Sequence, residues 1–254
     1  MNVLAFFAHP DDETILAGGA LALLAREGHQ VHYLSATRGE GGEVGEPPVC
    51  SVDELGAVRE GELVCAVQAL GGRSLTFLDY VDPRVGPDNQ LFAYTSDLTM
   101  LAGQVAATLK QFEIDVVISH GSNGEYGHPA HQVTHLAARM AVESMSDQRP
   151  AFYTVAAIYP GHPRPFLANK DDPAHLVLDV SPVLEQKTRA ALCHRTQHAL
   201  FVRRASEEAG RPLTVPEVIQ REESLHRVLP EGADLEDDGL AVVLQPYRVE
   251  ARVD

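Results

Sequence analysis

The sequence contains no tryptophan and few basic residues for its length. Only 20 lysines and arginines stand against 36 aspartates and glutamates among 254 residues, so the formal net charge is −16. This charge argues against a nucleic-acid backbone or an anionic membrane surface as the main partner, because both are themselves negative. We therefore expect no nucleic-acid binding.

Long apolar runs and nucleotide-binding motifs are missing as well. Residues 2–8, NVLAFFA, are too few to span a bilayer, and no positively charged segment precedes them. Neither G-x-G-x-x-G nor G-x-x-x-x-G-K occurs, which argues against a dinucleotide or nucleoside triphosphate site. We expect a protein without membrane insertion.

Cysteine is scarce. The three cysteines, Cys50, Cys65 and Cys193, are odd in number and far apart, and they form no C-x-x-C pair. We expect them to be reduced thiols in packing or loop positions of a cytoplasmic protein.

What the sequence does contain is an alternation of apolar strands and amphipathic helices. Strands separated by helices of this length imply right-handed crossovers and a mostly parallel sheet that is covered on both faces. We predict an α/β fold, a Rossmann-like and mostly parallel sheet with helices on both faces. The predicted strands are residues 2–8, 30–37, 74–79, 115–121 and 152–160, and the predicted helices are residues 13–28, 52–71, 96–112, 128–145 and 180–200.

The pattern changes in the last third of the chain, where prolines mark a loop before the helix at 180–200. No linker or repeat is visible. We therefore predict one domain over residues 1–254, with a core of about residues 1–200 and a C-terminal elaboration at 201–254. The acidic segment 231–239 is predicted to be a solvated turn.

Two histidine-rich segments follow predicted strands. The first is AHPDDE, residues 8–13, and the second is SHGSNGEYGHPAHQVTH, residues 119–135. Ligands of open α/β sheets bind beyond the carboxyl ends of the strands, so these two segments can form one site.

The residue types of these segments are those of a metal site. Zinc binds imidazole nitrogen and carboxylate oxygen, and catalytic zinc keeps three protein ligands. His9 and Asp12 are three residues apart, and a histidine of the second segment would complete the set. Asp11 would remain free as a general base. In the alternative interpretation, Asp11 or Asp12 merely caps the helix that begins near Glu13.

The spacing does not identify the distal ligand. His131 and His135 are four residues apart, and His128 and His131 are three apart. Both spacings place the two side chains on one face of a helix. The glutamate of an H-E-x-x-H motif is absent, so the distal ligand stays open at this point among His120 and these three histidines.

Five stretches of the sequence occur together and in this order: AHPDDE (8–13), TRGEGGE (37–43), REGELVCAVQALG (59–71), GHPAH (127–131) and KTRAALCHRTQ (187–197). In these stretches the chain resembles the PIG-L/LmbE-like family of zinc-dependent N-acetylglucosaminyl deacetylases, which includes de-N-acetylases of the mycothiol and bacillithiol type. The resemblance implies an LmbE-like fold and one zinc ion, Zn²⁺, bound by His9, Asp12 and His131, with Asp11 as the general base.

The same resemblance assigns further residues. His128 is expected to face the substrate as an acid or an oxyanion stabiliser, Tyr126 to assist at the oxyanion, and His135 to be structural. Side chains expected to contact or border the substrate are those of Arg59, Asp82 and His194. The glycine-rich loop at 39–48 is expected to be a lid.

One departure from the family stands at Ala130, where the family usually has an aspartate between the two histidines of GHPAH. Such a carboxylate favours the positive form of a neighbouring imidazole. Without it we expect a lower pKa at His128, unless another carboxylate such as Glu125 holds that ring.

The expected function is removal of the N-acetyl group from a small molecule that contains N-acetylglucosamine, in the context of low-molecular-weight thiol biosynthesis. The alternative is a non-catalytic sugar- or metal-binding α/β module that keeps the ligands. Contacts at a sheet edge or the C-terminal segment could make a homo-oligomer.

Overall fold

The computed structural model describes residues 1–146, 148–232 and 235–249. No helix in this part of the chain combines the length and the apolar character that a membrane crossing requires. The strands are β1 (Asn2–Phe7), β2 (Gln30–Thr37), β3 (Ser74–Tyr80), β4 (Val116–Ser119), β5 (Ala151–Val155), β6 (Ala157–Ile158), β7 (Asn169–Pro173), β8 (Leu176–Asp179) and β9 (Glu222–Leu229). The α-helices are α1 (Asp12–Arg26), α2 (Leu55–Ala69), α3 (Leu98–Gln111), α4 (Gly124–Gly127), α5 (Pro129–Glu143), α6 (Leu184–Cys193), α7 (His198–Ala209), α8 (Val215–Val218) and α9 (Gly239–Leu244).

The main sheet has the strand order β3-β2-β1-β4-β5-β9-β8. Strands β1 to β5 pair in parallel, while β9 is antiparallel to both of its neighbours. Strands β6 and β7 form a separate parallel pair. The predicted α/β fold with a mostly parallel sheet is confirmed.

Strand β1 shows why its apolar run is continuous. Val3, Ala5 and Phe7 pack into the core on the side of α1, α2 and α6, and Leu4 and Phe6 pack into the core on the side of α3 and α5. Because both faces of the strand are buried, alternation with polar residues is absent.

The strand order reverses between β1 and β4, and this reversal positions the site. From β1 the chain builds outward through β2 to β3, and then returns to β4 on the other side of β1. Phe6 is paired with Ser119 at the carboxyl ends of these two strands. The segments after β1 and β4 therefore start side by side, at the switch point where such folds bind ligands.

Two predicted elements are divided. The helix predicted at 180–200 ends at Cys193 and restarts at His198. The intervening turn is held by the buried Glu62, whose carboxylate accepts hydrogen bonds from the backbone N–H and the hydroxyl of Thr196 at 2.9 and 2.7 Å. The strand predicted at 152–160 is interrupted at Ala156, where φ is 50°, a left-handed conformation that breaks the extended backbone.

Residues beyond 200 supply β9, which lies within the main sheet between β5 and β8. The acidic segment 231–239 lies partly outside the described residues, and its N-cap aspartate, Asp238, begins α9. The single domain over residues 1–254 stays a prediction.

The expectation of reduced cysteines is wrong for two of the three. Cys65 on α2 and Cys193 at the end of α6 form a disulfide, and Cys50 is free. Helices α2 and α6 pack side by side and bring the two Cα atoms to 5.7 Å, a separation that a disulfide requires. The sequence separation of 128 residues hid this proximity.

Candidate metal centre and substrate cavity

The two histidine-rich segments meet beyond the ends of β1 and β4. Nδ1 of His9 lies 3.3 Å from Nε2 of His131 and 3.2 Å from Oδ2 of Asp12. Nε2 of His131 lies 3.4 Å from Oδ1 of Asp12. All three residues are buried, so the structure brings together the three side chains that the sequence predicted as metal ligands.

Two overlapping groups in the described chain could hold a metal ion. One is His9, His128 and His131, and the other is Asp12, His120 and His131, each with donor atoms within 4.8 Å of one another. His131 belongs to both groups. The predicted set takes His9 from the first group and Asp12 from the second.

Hydrogen bonds disfavour the remaining two histidines as ligands. His120 is engaged at both ring nitrogens, because Nε2 accepts the N–H of Ala8 at 3.0 Å and Nδ1 lies 3.0 Å from Glu125. His128 uses Nδ1 to accept the N–H of Ala130 at 3.2 Å, so its neutral ring carries the proton on Nε2. Neither ring therefore has a free lone pair for a metal, in contrast to His131.

Glu125 fixes the orientation of the His131 ring from the side away from His9 and Asp12. Its Oε2 lies 2.5 Å from Nδ1 of His131, and its Oε1 accepts the N–H of Gly121 at 3.0 Å. Burial opposes ionisation of Glu125, but the imidazoles of His120 and His131 outweigh it and hold the pKa of the carboxyl well below its usual range. The backbone φ of Glu125 is 58°, a strained value of the kind found at functional sites. The idea that Glu125 holds His128 is wrong, because its partners are His120 and His131.

The protonation of His131 and His9 indicates that the cluster suits a cation. Burial lowers the pKa of His131, and the neutral ring donates Nδ1–H to the ionised Glu125, so that its Nε2 lone pair faces His9 and Asp12. Burial also lowers the pKa of His9, but Asp82 and Asp12 outweigh this effect and raise the pKa to about 10, which means that these carboxylates favour a positive charge at this point. The described residues thus form a group of imidazole and carboxylate donors that is able to hold a metal ion.

Asp11 stands beside this group with a side chain that does not cap α1. Its backbone has φ 110°, its N–H donates to Glu13, and its Oδ1 lies 3.5 Å from the guanidinium of Arg59. Burial raises the pKa of Asp11 to about 7, although Arg59 opposes the rise. The capping interpretation therefore fails for Asp11, and a carboxyl group of this pKa can accept a proton near neutral pH.

Asp82 and Arg59 tie the glycine-rich loop to the cluster. Asp82 lies 3.2 Å from Nε2 of His9 through Oδ1 and accepts the N–H of Gly41 through Oδ2 at 3.3 Å. Arg59 is only 3% exposed and donates to the carbonyls of Gly39 and Pro10 at 2.9 and 2.5 Å. Both side chains border the cavity, but their hydrogen bonds hold the glycine-rich loop and the segment that follows β1 in place.

Gly39 shows why the loop needs glycine. Its φ is 68°, and a Cβ atom there would lie 2.3 Å from the guanidinium of Arg59. A larger residue would be strained and would displace Arg59.

His194 lies behind the site rather than on the cavity wall. It is fully buried, and its Nε2 is 3.0 Å from Oε1 of Glu13, the residue that binds the Asp11 backbone. His194 is absent from the residues that line the cavity in the described chain. Its contacts are those of a residue that positions Asp11 through Glu13, not those of a substrate-binding residue.

Tyr126 and His128 lie at the open side of the cluster. Tyr126 is 55% exposed, and its ring packs edge-on against His128 and His131, with both centroid distances 5.6 Å. Burial and the neighbouring imidazoles of His131 and His9 lower the pKa of His128 to about 3. His128 is therefore neutral near pH 7, and it carries its proton on Nε2 because Nδ1 is an acceptor.

His135 contacts the backbone instead of the cluster, since its Nδ1 lies 3.0 Å from the carbonyl oxygen of His120.

The cluster opens into a cavity of about 940 Å³ that reaches α7 and the loop between β6 and β7. Its walls away from the cluster combine apolar side chains with charged side chains of both signs, namely Phe92, Phe166, Leu200, Phe201, Arg164, Arg203, Arg204, Glu43, Glu207, Glu208 and Glu217. The cavity has room for more than one sugar ring, since pockets that hold drug-sized ligands measure roughly 300–1,000 Å³.

Sequence reasoning missed the contact between Glu125 and His131 and the chain of contacts from His194 to Asp11. Both depend on loop conformations that no local spacing encodes. It also missed Arg164, which stands alone between two prolines and has no motif around it.

Comparison with known proteins gives matches in family, sequence and fold. Residues 4–142 match the family model described as PIG-L, GlcNAc-PI de-N-acetylase. A 1D-myo-inositol 2-acetamido-2-deoxy-alpha-D-glucopyranoside deacetylase of Mycobacterium sp. (strain KMS) is 33% identical over 227 residues, which cover 77% of this chain and 74% of that protein.

Solved structures show the same fold at low sequence identity. N,N'-diacetylchitobiose deacetylase from Pyrococcus horikoshii has a TM-score of 0.62 at 19% identity, over 89% of this chain and 83% of that chain. The 4-carboxy-2-hydroxymuconate hydratase from Pseudomonas putida also has a TM-score of 0.62, at 20% identity over 92% of this chain and 98% of that chain. Because a hydratase shares the fold, the chemistry has to be argued from the site.

Proposed function

The chain belongs to the PIG-L family of de-N-acetylases, and we propose that it is a zinc-dependent deacetylase of an N-acetylglucosamine-containing small molecule. The family membership confirms the resemblance drawn from the motifs. The observation that carries the proposal is the convergence of His9, Asp12 and His131 beside an uncoordinated Asp11 in a large cavity.

We assign His9, Asp12 and His131 as the metal ligands. Their donor atoms lie 3.2 to 3.4 Å apart, and Glu125 directs Nε2 of His131 into the group. Two imidazoles and one carboxylate form a ligand set that catalytic zinc uses. When bound, the ion would polarise the amide carbonyl and make a water molecule more acidic.

The surrounding residues supply the proton transfers. Asp11 accepts a proton from the water that attacks the amide carbon, since its pKa of about 7 suits a general base. The neutral His128 donates a hydrogen bond from Nε2–H to the developing oxyanion, with Tyr126 beside it. Asp11 then gives its proton to the departing nitrogen, so the products are acetate and a free amine on the glucosamine unit.

The test combines zinc content with acetate release from a panel of N-acetylglucosaminides that differ in the aglycone. We expect stoichiometric zinc and acetate release from at least one member. Bound zinc without acetate release from any member would support the alternative, a non-catalytic binding module.

The relatives' name suggests the substrate class. A glucosaminide of a cyclitol, as in the mycobacterial relative, would place this chain in low-molecular-weight thiol biosynthesis. A cytoplasmic location and a homo-oligomer stay predictions. The Cys65–Cys193 disulfide bears on the location, because structural disulfides are rare in reducing compartments.

A further inference from the structure

Arg164 contributes a cationic side chain to the cavity. It lies in the loop between β6 and β7, where Pro163 and Pro165 flank it, and it lines the same cavity as the candidate metal ligands. Arg164 is partly buried, and this burial lowers its pKa. An arginine that is withdrawn from water in this way usually has a carboxylate as its partner.

The other arginines of this cavity have such compensation. Arg59 contacts Asp11, Arg203 forms a bidentate pair with Glu43, and Arg204 pairs with Glu208 while it stacks on Phe166. Each therefore has an acidic partner before any substrate binds.

Arg164 lacks an acidic partner among the described residues. Its guanidinium donates one hydrogen bond, to the carbonyl of Val218 at 2.5 Å. The nearest acidic residues along the chain from Val218 have other partners. Glu217 pairs with Arg211 at 3.0 Å, and Glu222 accepts a hydrogen bond from the hydroxyl of Tyr159 at 2.9 Å. Since a guanidinium has five N–H donors, most of its capacity is left for a ligand.

The neighbouring walls are apolar. Phe166 and Leu200 are 40% and 45% exposed and line the cavity together with Phe201 and Leu167. Apolar side chains this exposed favour an apolar ligand surface, because contact would remove them from water. The cavity thus offers an apolar surface and an unpaired cation in addition to the metal cluster.

We infer that Arg164 binds an anionic group on the aglycone of the substrate, a carboxylate or a phosphate separated from the sugar by an apolar part. The inference rests on the proposed deacetylase function, because it names the substrate class of the same site. It favours an anionic aglycone over the uncharged cyclitol that the name of the mycobacterial relative suggests.

The test uses two aryl glycosides of matched shape, 4-carboxyphenyl and 4-carbamoylphenyl N-acetylglucosaminide of the same anomer. We expect kcat/KM for the carboxylate to exceed that for the carboxamide by about tenfold, the effect of one charge-assisted hydrogen bond. In Arg164→Gln, which keeps a donor for Val218, this ratio should fall toward one. A third probe with a phosphate in place of the carboxylate identifies the preferred anion.

Arg204→Gln is the matched control, because Arg204 lines the same cavity but is already paired with Glu208. It should keep the wild-type ratio, and a loss of preference in this variant instead would move the anion site to Arg204. Acetate release from the two aryl glycosides at equal efficiency would overturn the inference and leave the deacetylase function standing. Release from none of the probes or of the wider panel would overturn the proposed function itself.

Discussion

The carboxylate of Glu125 lies 2.5 Å from Nδ1 of His131, whose other ring nitrogen faces Asp12 at 3.4 Å. A carboxylate behind an imidazole fixes the tautomer of the ring and increases the basicity of its free nitrogen. Glu125 comes six residues before His131, in a turn that the strained backbone of Glu125 creates.

We predict that Glu125→Gln weakens zinc binding about 10- to 100-fold, the usual effect of losing the partner of a histidine ligand. An amide cannot provide the negative charge that holds the proton on Nδ1 of His131. The dissociation constant is measured by competition with a chromophoric chelator, with circular dichroism as a check on folding. Glu143→Gln is the control, since this exposed residue pairs with Arg139 on the surface of α5. Equal zinc affinities for both variants would contradict the role of Glu125.

The metal set can be resolved by single substitutions. His131→Ala and Asp12→Ala should each lower zinc affinity by more than about 100-fold, because even an outer partner costs 10- to 100-fold. His135→Ala should retain zinc, since that ring contacts the carbonyl of His120. Zinc content after dialysis provides the measurement. His128→Ala distinguishes the two candidate groups, and its loss of zinc would replace Asp12 by His128 in the set.

Substitution of Asp11 should lower the turnover rate without changing zinc binding. Asp11→Asn should bind zinc normally and lose about two to four orders of magnitude in kcat, the contribution of a general base. The amide keeps the shape of the side chain but cannot accept the proton of water. Steady-state acetate release and zinc content are measured on the same preparation. If the variant loses its zinc, Asp11 is a ligand and the base must be sought elsewhere.

The fold followed from the sequence because the relevant signals are local. Apolar runs such as residues 2–8 and the helix at 13–28 record burial and periodicity directly, and the strand ends then locate the site at residues 8–13 and 119–135. The three proposed ligands were named on resemblance, and the structure places them within contact distance of one another.

The remaining features depend on contacts between distant segments. The contact of His194 with Glu13, the disulfide of Cys65 with Cys193 and the unpaired charge of Arg164 each require the packed arrangement of helices or loops. Single-residue identity does not encode such pairings, and a residue such as His194 has the same letter whether it faces substrate or core. Site residues that act through another residue are therefore the ones that sequence reasoning misassigned.

Stability at low pH should depend on Asp238, far from the cluster. Asp238 caps α9 through the N–H of Ala241 at 3.0 Å and pairs with the buried Arg227 at 3.1 Å. Burial raises the pKa of Asp238, but these hydrogen bonds and the charge of Arg227 outweigh it and hold the pKa below its usual value. The contribution of Asp238 is thus present above the unfolded-state pKa of about 3.9 and is lost as the pH falls through the lower folded-state pKa.

The variant Asp238→Asn should therefore lose about 3 kcal/mol of unfolding free energy at pH 7, as expected when one partner of a buried ion pair is removed. The difference from the wild type should narrow as the pH falls below about 4, because the wild-type carboxyl then becomes protonated as well. Urea unfolding of both proteins between pH 7 and pH 3 gives the two curves. If the difference in unfolding free energy between the two proteins is the same at every pH, the ion pair of Asp238 with Arg227 is not its cause.

The disulfide predicts both a thiol count and a stability effect. Protein purified without reductant and then denatured should show one reactive thiol, that of Cys50, and three after reduction. Because the bond links positions 128 residues apart, its removal in Cys65→Ser should lower the unfolding free energy by about 5 kcal/mol, as the chain-entropy model gives for a loop of this length. Cys50→Ser is the matched control and should unfold like the wild type, since Cys50 forms no bond. Three reactive thiols without reduction would restore the original interpretation of reduced cysteines, and the stability difference between the two variants would then have to come from packing between α2 and α6.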